Sequence, residues 1–295
     1  MVVARRLPEW FKVPMPGGPD YRDMERRLRA SALHTVCEEA RCPNIGECWE
    51  HRTATFMVLG DICTRSCRYC AVTTGRPLAL DLGEPERLAR TVEGLGLRYC
   101  VITSVNRDDL PDGGASIFAQ CILKVRQRLP SCKVEVLIPD FEGNRDALNV
   151  VMDADPDVLN HNIETVRRVF HPVRPKGSYD LSLELLARAK EMRPDAPTKS
   201  GMMVGLGEEW DEVMETMRDL RKVGCDLLTV GQYLRPTRDG RHVPVARFYH
   251  PQEFAELRRI GESLGFRHVA AGPLVRSSYH ADQQHAAAAS TGARV

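Results

Sequence analysis

The stretch Asp61-Ile-Cys-Thr-Arg-Ser-Cys-Arg-Tyr-Cys70 places Cys63, Cys67 and Cys70 at C-x3-C-x2-C spacing. It follows directly on a β-rich run over 53–59, so the three thiols sit on a loop at the end of a strand. Three thiolates on a short loop hold three irons of a cubane cluster and leave the fourth iron open to a substrate. Structural zinc takes four protein ligands, and ferredoxin-type carriers use four cysteines per cluster, so both fit poorly to a triplet with no fourth cysteine nearby. On spacing alone, zinc, thiol redox chemistry and chance stay open beside the iron–sulfur reading.

Outward from this loop the text alternates between strand and helix signals. The predicted strands cover 53–59, 99–103, 133–138, 157–162, 199–204 and 226–231, and the predicted helices 85–94, 116–129, 144–152, 181–192, 209–223 and 251–264. Asp180 is the expected cap of the fourth helix, and Pro251 stands at the first position of the last. The strands are continuous apolar or β-branched runs, as expected of a parallel sheet covered by helices. The fold class read from this is α/β, a partial (β/α)6 TIM-type barrel over 53–265. A doubly wound sheet is the competing architecture.

Flanking it are an N-terminal extension, 1–52, and a C-terminal one, 266–295. The first is broken by Pro8, Pro14, Pro16 and Pro19 and has one helical pattern, over 21–33; the second opens on a candidate further strand, 265–272, and ends in an Ala- and Gln-rich tail from Ala281, expected to be mobile.

The 41 Lys plus Arg balance 40 Asp plus Glu, so no global charge draws the chain to nucleic acid or to an anionic membrane. No run approaches the ~18 apolar residues of a membrane span, and Arg5 and Arg6 have no apolar stretch behind them. The expected location is the cytoplasm, a reducing compartment in which clustered cysteines bind metal more often than they form disulfides. Six of the ten cysteines fall between positions 37 and 70. Cys100, Cys121, Cys132 and Cys225 stand singly in or beside apolar runs and read as structural.

Cys37, Cys42 and Cys48 form a second triplet, C-x4-C-x5-C, fifteen residues before the first. The first triplet, with Tyr69 ahead of its last cysteine, resembles the signature of radical S-adenosylmethionine enzymes. The two triplets together resemble the lipoyl synthase family, and the likeness runs nearly end to end. It includes Leu7-Pro-Glu-Trp10, Thr103-Ser-Val-Asn-Arg-Asp-Asp-Leu-Pro-Asp-Gly-Gly114 and His161-Asn-Ile-Glu-Thr165. Val173-Arg-Pro175, Lys199-Ser-Gly-Met-Met-Val-Gly-Leu-Gly-Glu208, Gly231-Gln-Tyr-Leu-Arg-Pro-Thr237 and Gly272-Pro-Leu-Val-Arg-Ser-Ser-Tyr-His-Ala281 extend it. No one of these is specific, but their order and joint presence are.

The resemblance implies a set of roles. Cys63, Cys67 and Cys70 would hold a 4Fe-4S cluster whose open iron binds S-adenosylmethionine and whose electron cleaves it to a 5′-deoxyadenosyl radical. Cys37, Cys42 and Cys48, with Ser278 or its neighbour Ser277 as the fourth ligand, would hold an auxiliary 4Fe-4S cluster that is consumed as sulfur donor. Gly201, Met203 and Gly205 would form a backbone platform for adenine, and Asn162 and Glu164 would bond the ribose. The usual Gly-Gly-Glu for the methionine amine is not evident. Thr103, Ser104 and Asn106 occupy its place, with Arg174 the candidate for the methionine carboxylate.

The reaction implied is insertion of two sulfurs, at carbons 6 and 8 of a protein-bound octanoyl group. The partners implied are octanoylated lipoyl carrier domains (2-oxoacid dehydrogenase E2 subunits and the glycine cleavage H protein), an electron donor such as ferredoxin or flavodoxin, and an iron–sulfur cluster carrier. The rivals are another sulfur-inserting radical enzyme, sharing the first triplet alone, and a non-catalytic iron–sulfur electron carrier.

Overall fold

The computed structural model describes residues 7–13, 15–51 and 53–292. Arg5, Arg6 and Pro14 lie outside the described residues. The chain divides into two compact units.

One unit comprises Pro14–Arg65 and Ala71–Asn160. Helix α1 (Pro19–Ala30) has Pro19 at its first position, where a missing N–H costs nothing, and buries Met24 and Leu28. A two-residue strand, β1 (His34–Thr35), leads into two short helices, α2 (Val36–Glu39) and α3 (Ile45–Glu50). Strand β2 (Thr55–Val58) follows, buried along its whole length, and pairs antiparallel with β1. Two-residue strands β3 (Ile62–Cys63) and β4 (Thr73–Thr74) then clip the cysteine loop, as parallel partners.

The rest of this unit is a βα repeat. Helix α4 (Glu84–Leu95) ends at Gly96, whose φ of 61° is left-handed. Then come β5 (Tyr99–Ser104), α5 (Ala115–Arg128), β6 (Lys133–Leu137), α6 (Arg145–Asp153) and β7 (Val158–Asn160). β2, β5, β6 and β7 lie parallel in that order, with Thr55 opposite Val101, Val101 opposite Glu135, and Glu135 opposite Val158. Each crossover is a helix, which is what parallel neighbours require. α4 turns Leu88, Ala89 and Val92 inward, and α5 Ile117, Phe118, Cys121, Ile122 and Val125, all fully buried.

The other unit comprises Met1–Val13, Ser66–Cys70 and His161–Val295. Its elements are α7 (Arg167–Val173), α8 (Tyr179–Met192), β8 (Thr198–Val204), α9 (Trp210–Lys222), β9 (Leu227–Gln232), α10 (Pro251–Ser263), β10 (His268–Gly272) and α11 (Ala281–Gly292). β8, β9 and β10 run parallel, Lys199 facing Leu227 and Leu227 facing His268. Their core gathers Phe170, Met202, Val213, Leu228, Phe254 and Val269.

The α/β class and the parallel strands are as expected, and all six predicted strands form. The further strand in 265–272 is β10. One expectation is corrected. Ser178 caps α8 by accepting from the Leu181 N–H, so Asp180 lies inside the helix. The tail from Ala281 is helical as far as Gly292, because alanine is the strongest helix former.

Candidate active site

In the unit that holds β2 to β7, Cys63 lies at the end of β3 and is 9% exposed. Its sulfur accepts hydrogen bonds from the backbone N–H of Arg65 (3.4 Å) and Asn106 (3.3 Å) and from Asn106 Nδ2 (3.8 Å). These donors oppose extra negative charge on a sulfur ligand, as around iron–sulfur centres. Asn106 follows the end of β5. There two buried polar atoms, Ser104 Oγ and Asn106 Oδ1, find no partner among the described residues. Unpartnered buried oxygens are costly unless a ligand completes them, which fits a polar group bound at this strand end. Thr103, in contrast, spends its hydroxyl on Leu137 O at 2.8 Å.

A cavity of about 280 Å³ opens beside this strand end, with Asn106, Asp108, Phe141, Glu142 and Asn144 in its wall. Phe141 and Glu142 hold φ of 48° and 51°, strain of the kind that collects at functional sites.

The second triplet lies in the same unit. Thr35 caps α2 by accepting from the Glu38 N–H, Cys42 donates its N–H to Cys37 O (3.0 Å), and Cys48 on α3 donates to Asn44 O (2.9 Å). The thiols act on one another: burial first, then Cys42, pushes Cys37 up to about 12, and burial, then Cys37 and Cys42, does the same to Cys48. Such thiols ionise against a bound cation, so the donor set fits a cluster held by thiolates. Among the described residues no three His, Cys, Asp or Glu side chains gather tightly enough to hold a single metal ion.

In the other unit, Arg68 donates its N–H to Val173 O (2.8 Å), Val243 N–H to Arg68 O (3.0 Å), and His242 Nε2 lies 2.8 Å from Cys70 O. These bonds fix Cys67 and Cys70. Burial pushes the Tyr69 hydroxyl well above its ordinary range. Burial likewise raises Glu164, while Arg174 and hydrogen bonds with Tyr69 and Asn162 pull it down. Glu164 has φ of 67° and bridges to Met202; its carbonyl accepts from Met203 N–H at 2.7 Å. Arg174 is buried at 5% exposure, and its Nη1 reaches Asn162 O at 3.4 Å.

Gly201 lies inside β8. A Cβ there would stand 2.7 Å from Asn162 Oδ1, 2.8 Å from Thr229 Oγ1 and 2.9 Å from Ser277 Oγ. Ser277 itself donates to Asn162 Oδ1 at 3.0 Å. Gly205 has φ of 97° and no room for a side chain beside Gln232 and Arg247 O. Glu208 clamps the turn after β8, its carboxylate accepting from Gly205 N (2.6 Å) and Leu206 N (2.8 Å). Gly201 and Gly205 let the backbone at the end of β8 lie this close to the oxygens of Asn162, Thr229, Ser277 and Arg247, and an oxygen-rich edge of that kind fits the ribose of the nucleoside expected here.

The structure thus brings together Cys63 with Asn106, Cys37 with Cys42 and Cys48, and Tyr69 with Asn162, Glu164, Arg174, Gly201 and Ser277. It buries Cys100, Cys121, Cys132 and Cys225 fully or nearly so, and burial raises all four thiols, as structural cysteines require. The sequence reading passed over Arg65, Asp108 and Asp140. Arg65, at 3% exposure, lies between Cys63 and Cys67 and bonds both carboxylates. An arginine inside a cysteine loop was the available signal.

Comparison with known proteins gives the class. Residues 57–220 match the radical SAM superfamily model, and residues 2–42 match the N-terminal domain of lipoyl synthase of that family. The [FeFe]-hydrogenase maturase HydG from Carboxydothermus hydrogenoformans shares the fold, with a TM-score of 0.57 at 15% identity, over 83% of this chain and 64% of that one. The chain is therefore a radical S-adenosylmethionine enzyme, with S-adenosylmethionine and 4Fe-4S clusters as its cofactors.

Within that class, lipoyl synthase of Rubrobacter xylanophilus is 61% identical over 94% of this chain and 86% of its own length. Lipoyl synthase of Chloroflexus aggregans is 60% identical over 94% of this chain and 90% of its own. The chain belongs to the lipoyl synthase family.

Proposed function

We propose that this chain inserts two sulfur atoms at carbons 6 and 8 of an octanoyl group amide-linked to a lysine of a lipoyl carrier domain, and that its two cysteine triplets divide the work. When bound, the 4Fe-4S cluster and S-adenosylmethionine supply the 5′-deoxyadenosyl radical that removes hydrogen from an unactivated carbon. Cys63, Cys67 and Cys70 hold that cluster through three of its irons. Two radical events, hence two S-adenosylmethionine molecules, serve each lipoyl group. The auxiliary cluster is a substrate, its sulfides being the sulfur delivered. Cys37, Cys42 and Cys48 hold it, with Ser278 as the fourth ligand; an alkoxide is harder than a thiolate, and its iron is easier to release.

Around the nucleoside, the backbone at Gly201 and Gly205 serves as the platform for adenine, with Met203 along the same strand, while Asn162 and Glu164 bond the ribose. Arg174 takes the methionine carboxylate as a charge-assisted partner. Ser104 and Asn106 hold the polar methionine end, and Tyr69 steadies Glu164. Residues 1–52 serve as the extension carrying the auxiliary ligands, 53–265 as the barrel and 266–295 as the extension carrying the serine.

The macromolecular substrates are octanoylated lipoyl carrier domains, those of 2-oxoacid dehydrogenase E2 subunits and the glycine cleavage H protein. A ferredoxin or flavodoxin supplies electrons, and an iron–sulfur carrier rebuilds the consumed cluster. Among the described residues no helix is long and apolar enough to cross a membrane. The compartment that goes with these partners in this reading is the cytoplasm.

The observation that carries this reading is the coexistence of two separate thiol triplets, one with hydrogen-bond donors on the Cys63 sulfur and one running from α2 through the turn at Cys42 to α3. The test is mass spectrometry of anaerobically reconstituted protein given an octanoyl-lysine peptide. A gain of two sulfurs is expected; no gain with both clusters intact sinks the reading.

A further inference from the structure

Arg65 interrupts the cysteine loop with a charge that the spacing of the ligands does not call for. Its guanidinium is almost wholly buried, with 1% of the side chain exposed, and it is saturated by two carboxylates. Nε lies 3.1 and 2.9 Å from the two Asp108 oxygens and Nη2 2.8 Å from Asp108 Oδ1. On the other side Nη1 reaches Asp140 Oδ2 and Nη2 reaches Asp140 Oδ1, each at 2.7 Å. This is the fork geometry that arginine alone provides.

The carboxylates sit on different strand ends. Asp108 belongs to the segment after β5, and Asp140 to the turn after β6, where its Oδ1 also accepts from the Glu142 N–H. Thr64 laces the loop to the same segment. Its N–H and hydroxyl both donate to Asn106 O, at 3.1 and 3.0 Å, and the hydroxyl lies 2.9 Å from Asp108 Oδ2. The residue so gripped, Asn106, is the one that turns its backbone N–H and its amide toward Cys63 Sγ.

We infer that Arg65 and Asp108 are positioning residues that set the reduction potential of the cluster on Cys63, by holding the Asn106 donors against its sulfur. An N–H aimed at a ligand sulfur favours the reduced, more negative cluster, so losing it lowers the potential. The inference rests on the reading of Cys63, Cys67 and Cys70 as cluster ligands.

Charge and position predict opposite signs in one variant, which makes the test decisive. Asp108→Ala removes a negative charge, and electrostatics alone would raise the potential. Loss of the grip on Asn106 would lower it. Arg65→Lys keeps the charge and loses the fork, so it too is expected to lower the potential.

The measurement is a redox titration of the reconstituted, iron-quantified protein, followed by the part of the reduced-cluster EPR signal that responds to S-adenosylmethionine. Both variants are expected to shift to lower potential at wild-type iron content. An unchanged or raised potential in Asp108→Ala overturns the inference. Where that variant does not load iron, Arg65→Lys decides alone, and a wild-type potential there is equally fatal. A wild-type signal indifferent to S-adenosylmethionine would instead sink the assignment of the cysteine loop, which keeps the two failures distinguishable.

Discussion

Ser277 Oγ donates a hydrogen bond to Asn162 Oδ1 at 3.0 Å, joining the Arg-Ser-Ser-Tyr segment to the strand end assigned to the ribose. Asn162 therefore has a resident partner before any nucleoside arrives. Asn162→Ala is expected to weaken S-adenosylmethionine binding about tenfold, roughly the 1.4 kcal/mol of one good hydrogen bond. Ser277→Ala, which removes only the competing donor, should leave the affinity within about threefold. Equilibrium binding to the reconstituted protein measures both, and an unaffected Asn162→Ala would remove that residue from the site.

The two triplets should separate by assay. Cys63→Ala is expected to abolish 5′-deoxyadenosine release under a strong reductant. Cys42→Ala should keep that release and lose sulfur insertion. Ser278→Cys should behave like the second variant, with cleavage preserved and sulfur transfer impaired; equal loss of both activities would count against the serine's role as a ligand.

Two left-handed glycines differ in what surrounds them. Gly96 ends α4 with φ of 61° and has nothing within 4 Å of where a Cβ would stand. Gly205, with φ of 97°, has Arg247 O only 2.7 Å from that point. Gly96→Ala should cost about 1 kcal/mol, the backbone preference alone. Gly205→Ala should cost more, on the order of 2 to 3 kcal/mol, because strain and a backbone collision add. Urea denaturation of the apoprotein checks the order, and equal costs would contradict the packing described.

Glu84 begins α4 and accepts the Leu59 N–H at 2.7 Å while buried. Burial, helped by Asp81, raises its carboxyl above the ordinary 4.5. A raised folded-state value means that the native protein holds this proton more tightly than the unfolded chain. The stabilisation is complete below about 4.5 and is lost as pH rises through the raised value. Glu84→Gln lacks that dependence. The thermal stability of wild type relative to Glu84→Gln should therefore fall as pH rises above about 4.5, through the raised value; a constant difference would show that the carboxyl titrates normally.

The strands were legible because they are unbroken apolar or β-branched runs that no amphipathic helix mimics. Val134-Glu-Val136 is the instructive exception, since its glutamate is fully buried. Glu135 is tolerated because Tyr99 OH and Asn160 Nδ2 both bond its carboxylate. Helix α11 is hard to see in the text because Ala and Gln carry no apolar stripe, although their intrinsic preference is helical. The short α2 and α3 were hidden by Pro43 and Gly46, which punctuate the text without preventing single turns. In the candidate site the two cysteine triplets and the glycines around the end of β8 stand out by spacing. The Arg65 clamp does not, since Asp108 and Asp140 reach it from 43 and 75 residues away. The left-handed backbone of Glu164 was equally silent, because no residue type announces it.

Helix α11 begins three residues after Ser278, and Gln284 Nε2 bonds Tyr279 O. A protease nick near residue 285, or a purification handle spliced into this helix, would therefore loosen the serine while leaving every cysteine in place. A count of thiols would survive such damage and mask it. Preparations intended for turnover studies are better tagged at the opposite terminus, and a batch that cleaves cosubstrate yet delivers no sulfur should first be weighed for an intact C-terminal segment.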